Sequence, residues 1–313
     1  VIEVQNLTKS YGGVAAIQSL NFHVKKGEVV GFLGPNGAGK STTMKIITGF
    51  MAPTSGTAKV AGFDVFESPI EVKRRIGYLP ETPPLYMDMY VRDYLTYVAE
   101  LKGVEKSKIF SYVDLALEKT FLIDVQKRLI QNLSKGYKQR VGIAQALVSQ
   151  PEILILDEPT VGLDPKQVAE IRELIKSLKG HHTIILSTHI LPEVQATCER
   201  IMIINKGRIV AQDSIEGLTK AQQTASGGRK ILLRTRAAHA DAEAKLKTIA
   251  GVHSIQLENG LICIHTADDE SMIEKIAQAV MAQGLGLQEI SSAKVDLEDV
   301  FIKLTYGDKG ANT

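Results

Sequence analysis

The stretch Gly34-Pro35-Asn36-Gly37-Ala38-Gly39-Lys40-Ser41-Thr42 constrains the fold more than any other part of the chain. It follows the apolar run Glu28-Val29-Val30-Gly31-Phe32-Leu33, which reads as a buried strand. Residues 44–49 beyond it read as helix. Strand, glycine-rich loop and helix fit the phosphate-loop spacing of Gly, four residues, Gly, Lys and Ser or Thr. A polyphosphate is gripped by backbone N–H groups turned into a concavity, where bulky side chains would block its approach. The helix N-terminus adds partial positive charge. In this pattern Lys40 reaches the β- and γ-phosphates, the Ser41 hydroxyl ligates Mg²⁺, and Thr42 serves the α-phosphate side.

Two further aliphatic runs make the class α/β. Ile153-Leu154-Ile155-Leu156 ends in Asp157 and Glu158, and Thr183-Ile184-Ile185-Leu186-Ser187-Thr188 ends at His189. Runs of this kind read as parallel strands buried on both faces, and ligands sit at the carboxyl ends of such strands. There Asp157 is placed to orient Mg²⁺ and Glu158 to polarise an attacking water. Two acids at a strand end also fit helix capping, and a lone histidine also fits a structural role. His181 and His182 read as surface turn residues.

The first strands, residues 2–5 and 16–24, predict an antiparallel edge. Tyr11 lies on a glycine turn between them, where an aromatic either stacks on a base or packs as a buried structural residue. Leu133-Ser134-Lys135-Gly136-Tyr137 leads into a helix that Ser134 caps, a second anion site or a plain capped helix. Residues 90–102 and 107–117 read as helices of an inserted lobe covering about 82–150. Tyr86, Tyr90, Tyr94 and Tyr97 on that lobe read as packing or docking surface. Residues 201–210 read as a hairpin.

In order, Gly34 to Thr42, Leu133 to Tyr137, Ile153 to Glu158, Gly162-Leu163-Asp164-Pro165 and His189 resemble the motifs of the ATP-binding subunits of ABC transporters. The resemblance covers roughly residues 1–220. It implies a P-loop NTPase cassette with a mixed sheet, an antiparallel β edge and a helical subdomain. Gly34, Asn36, Gly37, Ala38, Gly39, Lys40, Ser41 and Thr42 are then the Walker A loop, and Tyr11 the adenine-stacking aromatic. Asp157 is the Walker B aspartate, Glu158 the catalytic glutamate, Asp164 the D-loop aspartate and His189 the switch histidine. Lys135 and Tyr137 depart from the LSGGQ pattern. Glu81 stands where the family has a glutamine, and is a third candidate Mg²⁺ ligand beside Ser41 and Asp157. The resemblance further implies ATP and Mg²⁺, a head-to-tail dimer in which Ser134 and Gly136 close over the partner's nucleotide, and separate transmembrane permease subunits. No nucleic-acid partner is expected.

Residues 221–228 read as a linker, and 229–313 as a small accessory or dimerisation domain. Its order of strand, helix, strand, the Asn259-Gly260 turn, strand, helix and strand resembles a ferredoxin-like α+β domain. An amphipathic helix, residues 296–304, ends it. Similar tails end the ATPases of bacterial drug, polysaccharide and gliding-type exporters, so export is the expected direction. An importer ATPase and a soluble ABC ATPase acting on ribosome or DNA are the alternatives. A P-loop kinase would need neither Leu133 to Tyr137 nor His189.

Composition agrees. The 313 residues, 44% hydrophobic and 23% charged, are those of a globular chain of about two domains. A net charge of +2 gives no push toward nucleic acid or anionic membrane. No run reaches the length of a membrane span, and Glu3, Asn6 and Lys9 interrupt any leader at the start. The expectation is a peripheral subunit held at the cytoplasmic face of the inner membrane by its permease. Cys198 and Cys263 read as small core residues of a reducing compartment.

Overall fold

A computed structural model describes residues 1–225, 229–237, 239–258, 260–267, 269, 271–293 and 297–307. The chain divides into two compact units, Val1–Ser214 and Ile215–Thr313.

In chain order the first unit runs β1 (Ile2–Tyr11), β2 (Val14–Val24), β3 (Val29–Leu33), α1 (Lys40–Ile47), β4 (Ser55–Val60) and β5 (Phe63–Asp64). Next come α2 (Pro69–Arg75), β6 (Ile76–Leu79), α3 (Val91–Leu101), α4 (Lys106–Lys119), α5 (Lys135–Leu147) and β7 (Ile153–Asp157). It closes with α6 (Pro165–Leu178), β8 (Thr183–Thr188), α7 (Leu191–Thr197), β9 (Arg200–Asn205) and β10 (Arg208–Ser214).

The three aliphatic runs are neighbours in one six-stranded sheet, ordered β10-β9-β3-β8-β7-β6. All of its pairings are parallel except β9 with β10. The strands β3, β7 and β8 are buried along their whole length, which is why their sequences are continuous rather than alternating. The N-terminal hairpin builds a separate antiparallel sheet, β2-β1-β4-β5, so the antiparallel edge of the core sheet is β10. One face of β1 packs toward the core sheet: Ile2 and Val4, and Leu7 beyond an irregularity in the β1–β2 register, join Phe32, Met44, Ile155 and Ile185 in one core.

A second apolar cluster, including Leu95, Val113, Leu117, Val141 and Val148, holds α3, α4 and α5 together. Tyr94 is buried in it, while Tyr86 and Tyr97 pack ring to ring with centroids 5.7 Å apart. His182 is not a surface turn residue. It is buried, with its Nδ1 2.7 Å from Pro151 O. The turn before β8 tucks beneath the start of β7, and burial holds the imidazole below its ordinary pKa.

The second unit contains α8 (Ile215–Ala225), β11 (Arg229–Thr235), α9 (His239–Leu246), β12 (Val252–Glu258), β13 (Leu261–Thr266), α10 (Met272–Ala282), β14 (Leu287–Ala293) and α11 (Leu297–Tyr306). Its sheet order, β12-β13-β11-β14 with antiparallel pairing throughout, is that of a ferredoxin-like βαββαβ domain. Ile231, Leu233, Leu246, Ile264, Ile276 and Val280 form its own core. The helix α8 runs through 221–225, the first part of the expected linker. Residues 226–228, Asn259 of the expected turn and Asp296 of the expected tail helix lie outside the described residues. No helix among the described residues is long and apolar enough to cross a membrane.

Candidate active site

The register of the core sheet brings the motif-bearing strand ends together. Leu33 lies opposite Thr188, and Asp157 opposite Ser187. The Gly34 N–H donates to Thr188 O at 3.3 Å, which fixes the start of the glycine-rich loop to β8. The loop ends at Gly39, the N-cap of α1, with φ of 107°. A Cβ there would come within 2.7 Å of Ala16 O, so the backbone angle and the close approach both require glycine.

Lys40 opens α1 and is buried. Its Nζ donates to Gly34 O at 2.8 Å and Pro35 O at 3.3 Å, and pairs with Glu158 Oε1 at 3.3 Å. Glu158, the residue after β7, is buried with φ of 50°. Its own N–H donates to Ser187 O at 2.8 Å, tying this left-handed residue to β8. His189 Nδ1 stands 3.1 and 3.0 Å from the two Glu158 oxygens. An ionised carboxylate only accepts, so the ring carries its proton on Nδ1. One carboxylate thus bridges an ammonium and an imidazole at the mouth of the sheet.

Asp157 lies just behind. Ser187 Oγ donates to its Oδ1 at 2.7 Å, and the Ser41 hydroxyl also bonds to it. Burial pushes the Asp157 carboxyl above the ordinary range, and both hydroxyls pull the other way. A cleft of about 530 Å³ opens on this group, lined by Asn36, Lys40, Ser41, Glu81, Glu158 and His189, with Gly37, Gly39 and Thr42 alongside. Ser41, Asp157 and Glu81 offer hydroxyl and carboxylate oxygens, the hard donors that magnesium takes, so the donor set fits that ion.

Other expected site residues stand elsewhere. Ser134 caps α5, accepting the Tyr137 N–H at 3.4 Å, and Gly136 packs against Gln167. Asp164 caps α6, accepting the Gln167 N–H at 2.9 Å. Tyr11 is half-exposed rather than buried, its hydroxyl 2.8 Å from Met51 Sδ. The cleft lining includes none of these four. Gly34 and Ala38 shape the loop from behind, Ala38 as part of the buried core.

Sequence reasoning passed over Ala16 and Val161, which line the cleft as plain apolar residues. It also passed over Thr160, Thr188 and Glu193, which form a buried hydrogen-bonded group behind Glu158. The only signal for them is adjacency to Glu158 and His189.

The family model described as ABC transporter matches residues 17–161. The chain is 34% identical over 310 residues to a bacitracin transport ATP-binding protein of Bacillus licheniformis, covering 98% of both. It is 30% identical over 310 residues to a daunorubicin resistance ATP-binding protein of Streptomyces coeruleorubidus, covering 98% of this chain and 96% of that one. A solved dimeric ATP-binding cassette in a post-hydrolysis state, bound to ADP and Pi, matches with a TM-score of 0.63 and 26% identity. That match covers 68% of this chain and 98% of the other. Near full-length similarity, together with a lysine, a carboxylate and a histidine gathered on a phosphate loop, leads to one conclusion: the chain is an ATPase belonging to the ATP-binding subunits of ABC transporters.

Proposed function

We propose that this chain powers export through a separate transmembrane permease, working as a head-to-tail pair of ATP-binding subunits at the cytoplasmic face of the membrane. The observation that carries the reading is the Lys40–Glu158–His189 group on the floor of the phosphate-loop cleft. Lys40 is the buried cation available to a triphosphate, and its present partner Glu158 is freed when phosphate oxygens replace it. Glu158 is the general base that orients the attacking water. His189 holds both oxygens of that base through one N–H. Ser41 and Asp157, with Glu81 from across the cleft, would hold Mg²⁺. Bound there, the ion would neutralise charge on the β- and γ-phosphates.

The half-site is open in one chain, and water exclusion requires a second surface. The capped N-terminus of α5, with Ser134 and Gly136, supplies one suited to phosphate oxygens from the partner subunit. Asp164 joins that surface, and Tyr11 stacks on the adenine. The resistance function in the name of the daunorubicin relative supports the outward direction. A groove of about 510 Å³, lined by Ile70, Lys73, Tyr86, Tyr97, Leu101 and Lys102, is the proposed seat of the permease. Residues 229–313 are the accessory, dimer-supporting domain.

The test is Glu158→Gln. Turnover is expected to fall by at least about 100-fold while ATP binding survives, because only the base is removed. Hydrolysis at the wild-type rate would refute the role.

A further inference from the structure

Behind Glu158 lies a second carboxylate that no motif marks. Glu193, on α7, is 1% exposed. Its Oε1 accepts the Thr160 hydroxyl, and its Oε2 lies 3.0 Å from Thr188 Oγ1. The same Thr188 Oγ1 lies 3.2 Å from Glu158 Oε2 and accepts the Ile190 N–H at 3.1 Å. Thr188 therefore stands between two carboxylates with one proton to give. Were both acids ionised, one buried O···O contact would have no proton, and two negative charges would face each other across a single hydroxyl. Each of these contacts has a proton when Glu193 is neutral. Its proton then goes to Thr188, and Thr188 donates to Glu158.

We propose that Glu193 is a positioning residue for ATP hydrolysis: as a neutral acid it turns the Thr188 hydroxyl onto Glu158. Through Thr160 it also ties the segment following Glu158 to the same point, so the base is held from both sides, by His189 in front and Thr188 behind. This rests on the role of Glu158 proposed above.

The surroundings agree. Burial pushes the Glu193 carboxyl above the ordinary range, with Glu158 adding to the push. The Thr160 and Thr188 hydroxyls and the charge of Arg172 on α6 act in the opposite direction and do not overcome it. Just past the end of α7, the buried Cys198 thiol is pushed up to about 12 and stays neutral.

The experiment compares Glu193→Met with Glu193→Gln in the full chain, by steady-state hydrolysis of magnesium-ATP and by binding of a fluorescent ATP analogue. Methionine keeps the volume and removes both polar atoms. Its kcat is expected to drop about 10- to 100-fold with KM within about twofold, as for a misplaced catalytic group. Glutamine donates to Thr188 and accepts from Thr160, so it should recover kcat to within about threefold of wild type. A residue that only fills the core would give no such recovery and no split between kcat and KM. Should the methionine variant not fold, Thr188→Val reads the same link with Glu193 in place, and the same loss of kcat is expected. An enzyme silenced by Glu158→Gln yet indifferent to Glu193→Met or Thr188→Val overturns the proposal and leaves Glu158 standing. So does a glutamine variant as impaired as the methionine one. Indifference to Glu158→Gln refutes the earlier reading instead.

Discussion

Glu158 occupies a left-handed backbone conformation that a non-glycine residue enters at a cost of about 1 kcal/mol or more. The surrounding bonds hold it there: its N–H on Ser187 O, and its carboxylate on Lys40, His189 and Thr188. These bonds also fix the direction of the carboxylate that is proposed to orient water. A different balance governs Glu28, at the entry to β3. Burial pushes its carboxyl up, but the Arg200 hydrogen bond, with Arg200 Nε 2.7 Å from Oε1, and the Lys25 N–H outweigh it, so the net shift is downward. A lowered folded pKa means the pair stabilises above the ordinary carboxylate range, and that the stability is lost as pH falls through the folded value. Glu28→Gln is expected to lower stability by about 1–2 kcal/mol at neutral pH, with the difference from wild type closing below about pH 4. Urea titrations across pH check it, and a gap that widens in acid would contradict it. At this scale the sequence exposed Lys40, Ser41, Asp157, Glu158 and His189, because each sits at a fixed offset from an aliphatic run. Thr160, Glu193 and His182 were illegible: their roles come from what they touch across 30 or so residues of chain, and periodicity carries no such information.

At the level of elements, the continuous aliphatic strands announced a buried parallel sheet, and the order of loop, acids and histidine announced which ends would meet. The separate N-terminal sheet was harder to foresee, since an alternating strand has the same pattern whether it extends a core sheet or covers it. Close packing of neighbouring elements was equally hidden. Gly77 on β6 is the sharpest case: a Cβ there would lie 2.0 Å from Ala146 O of α5 and 2.8 Å from Leu154 Cδ2. The first neighbour is backbone inside a helix and cannot swing aside. Gly77→Ala is therefore expected to cost about 2–3 kcal/mol or more, as an overpacked core does. Because β6 leads to Glu81 and α5 begins beside Ser134, nucleotide affinity should weaken along with the urea midpoint. An alanine variant as stable as wild type would show that α5 and β6 are not in this contact.

For the whole molecule, the decisive quantity is where Ser134 sits when the γ-phosphate is bound. Within one chain Ser134 is an N-cap on α5 and takes no part in the cleft that Asn36, Lys40 and Glu158 line. A C2 pairing is isologous, so whatever one subunit's α5 terminus does for its partner, the partner's does in return. Cross-linking separates the possibilities cleanly here because the native thiols, Cys198 and Cys263, are both buried. A chain carrying Asn36→Cys, Ser134→Cys and Glu158→Gln is expected to bind ATP without consuming it, and a short bifunctional thiol reagent then bridges only cysteines brought close by closure. Head-to-tail pairing predicts a product of twice the chain mass, formed with magnesium-ATP and absent without nucleotide. Two chains with one introduced cysteine each should give it only when mixed, one bearing Asn36→Cys and the other Ser134→Cys. Bridging confined to single chains would mean that each cassette closes on its own nucleotide, and the coupling of hydrolysis to a mechanical stroke between two subunits would have no structural basis.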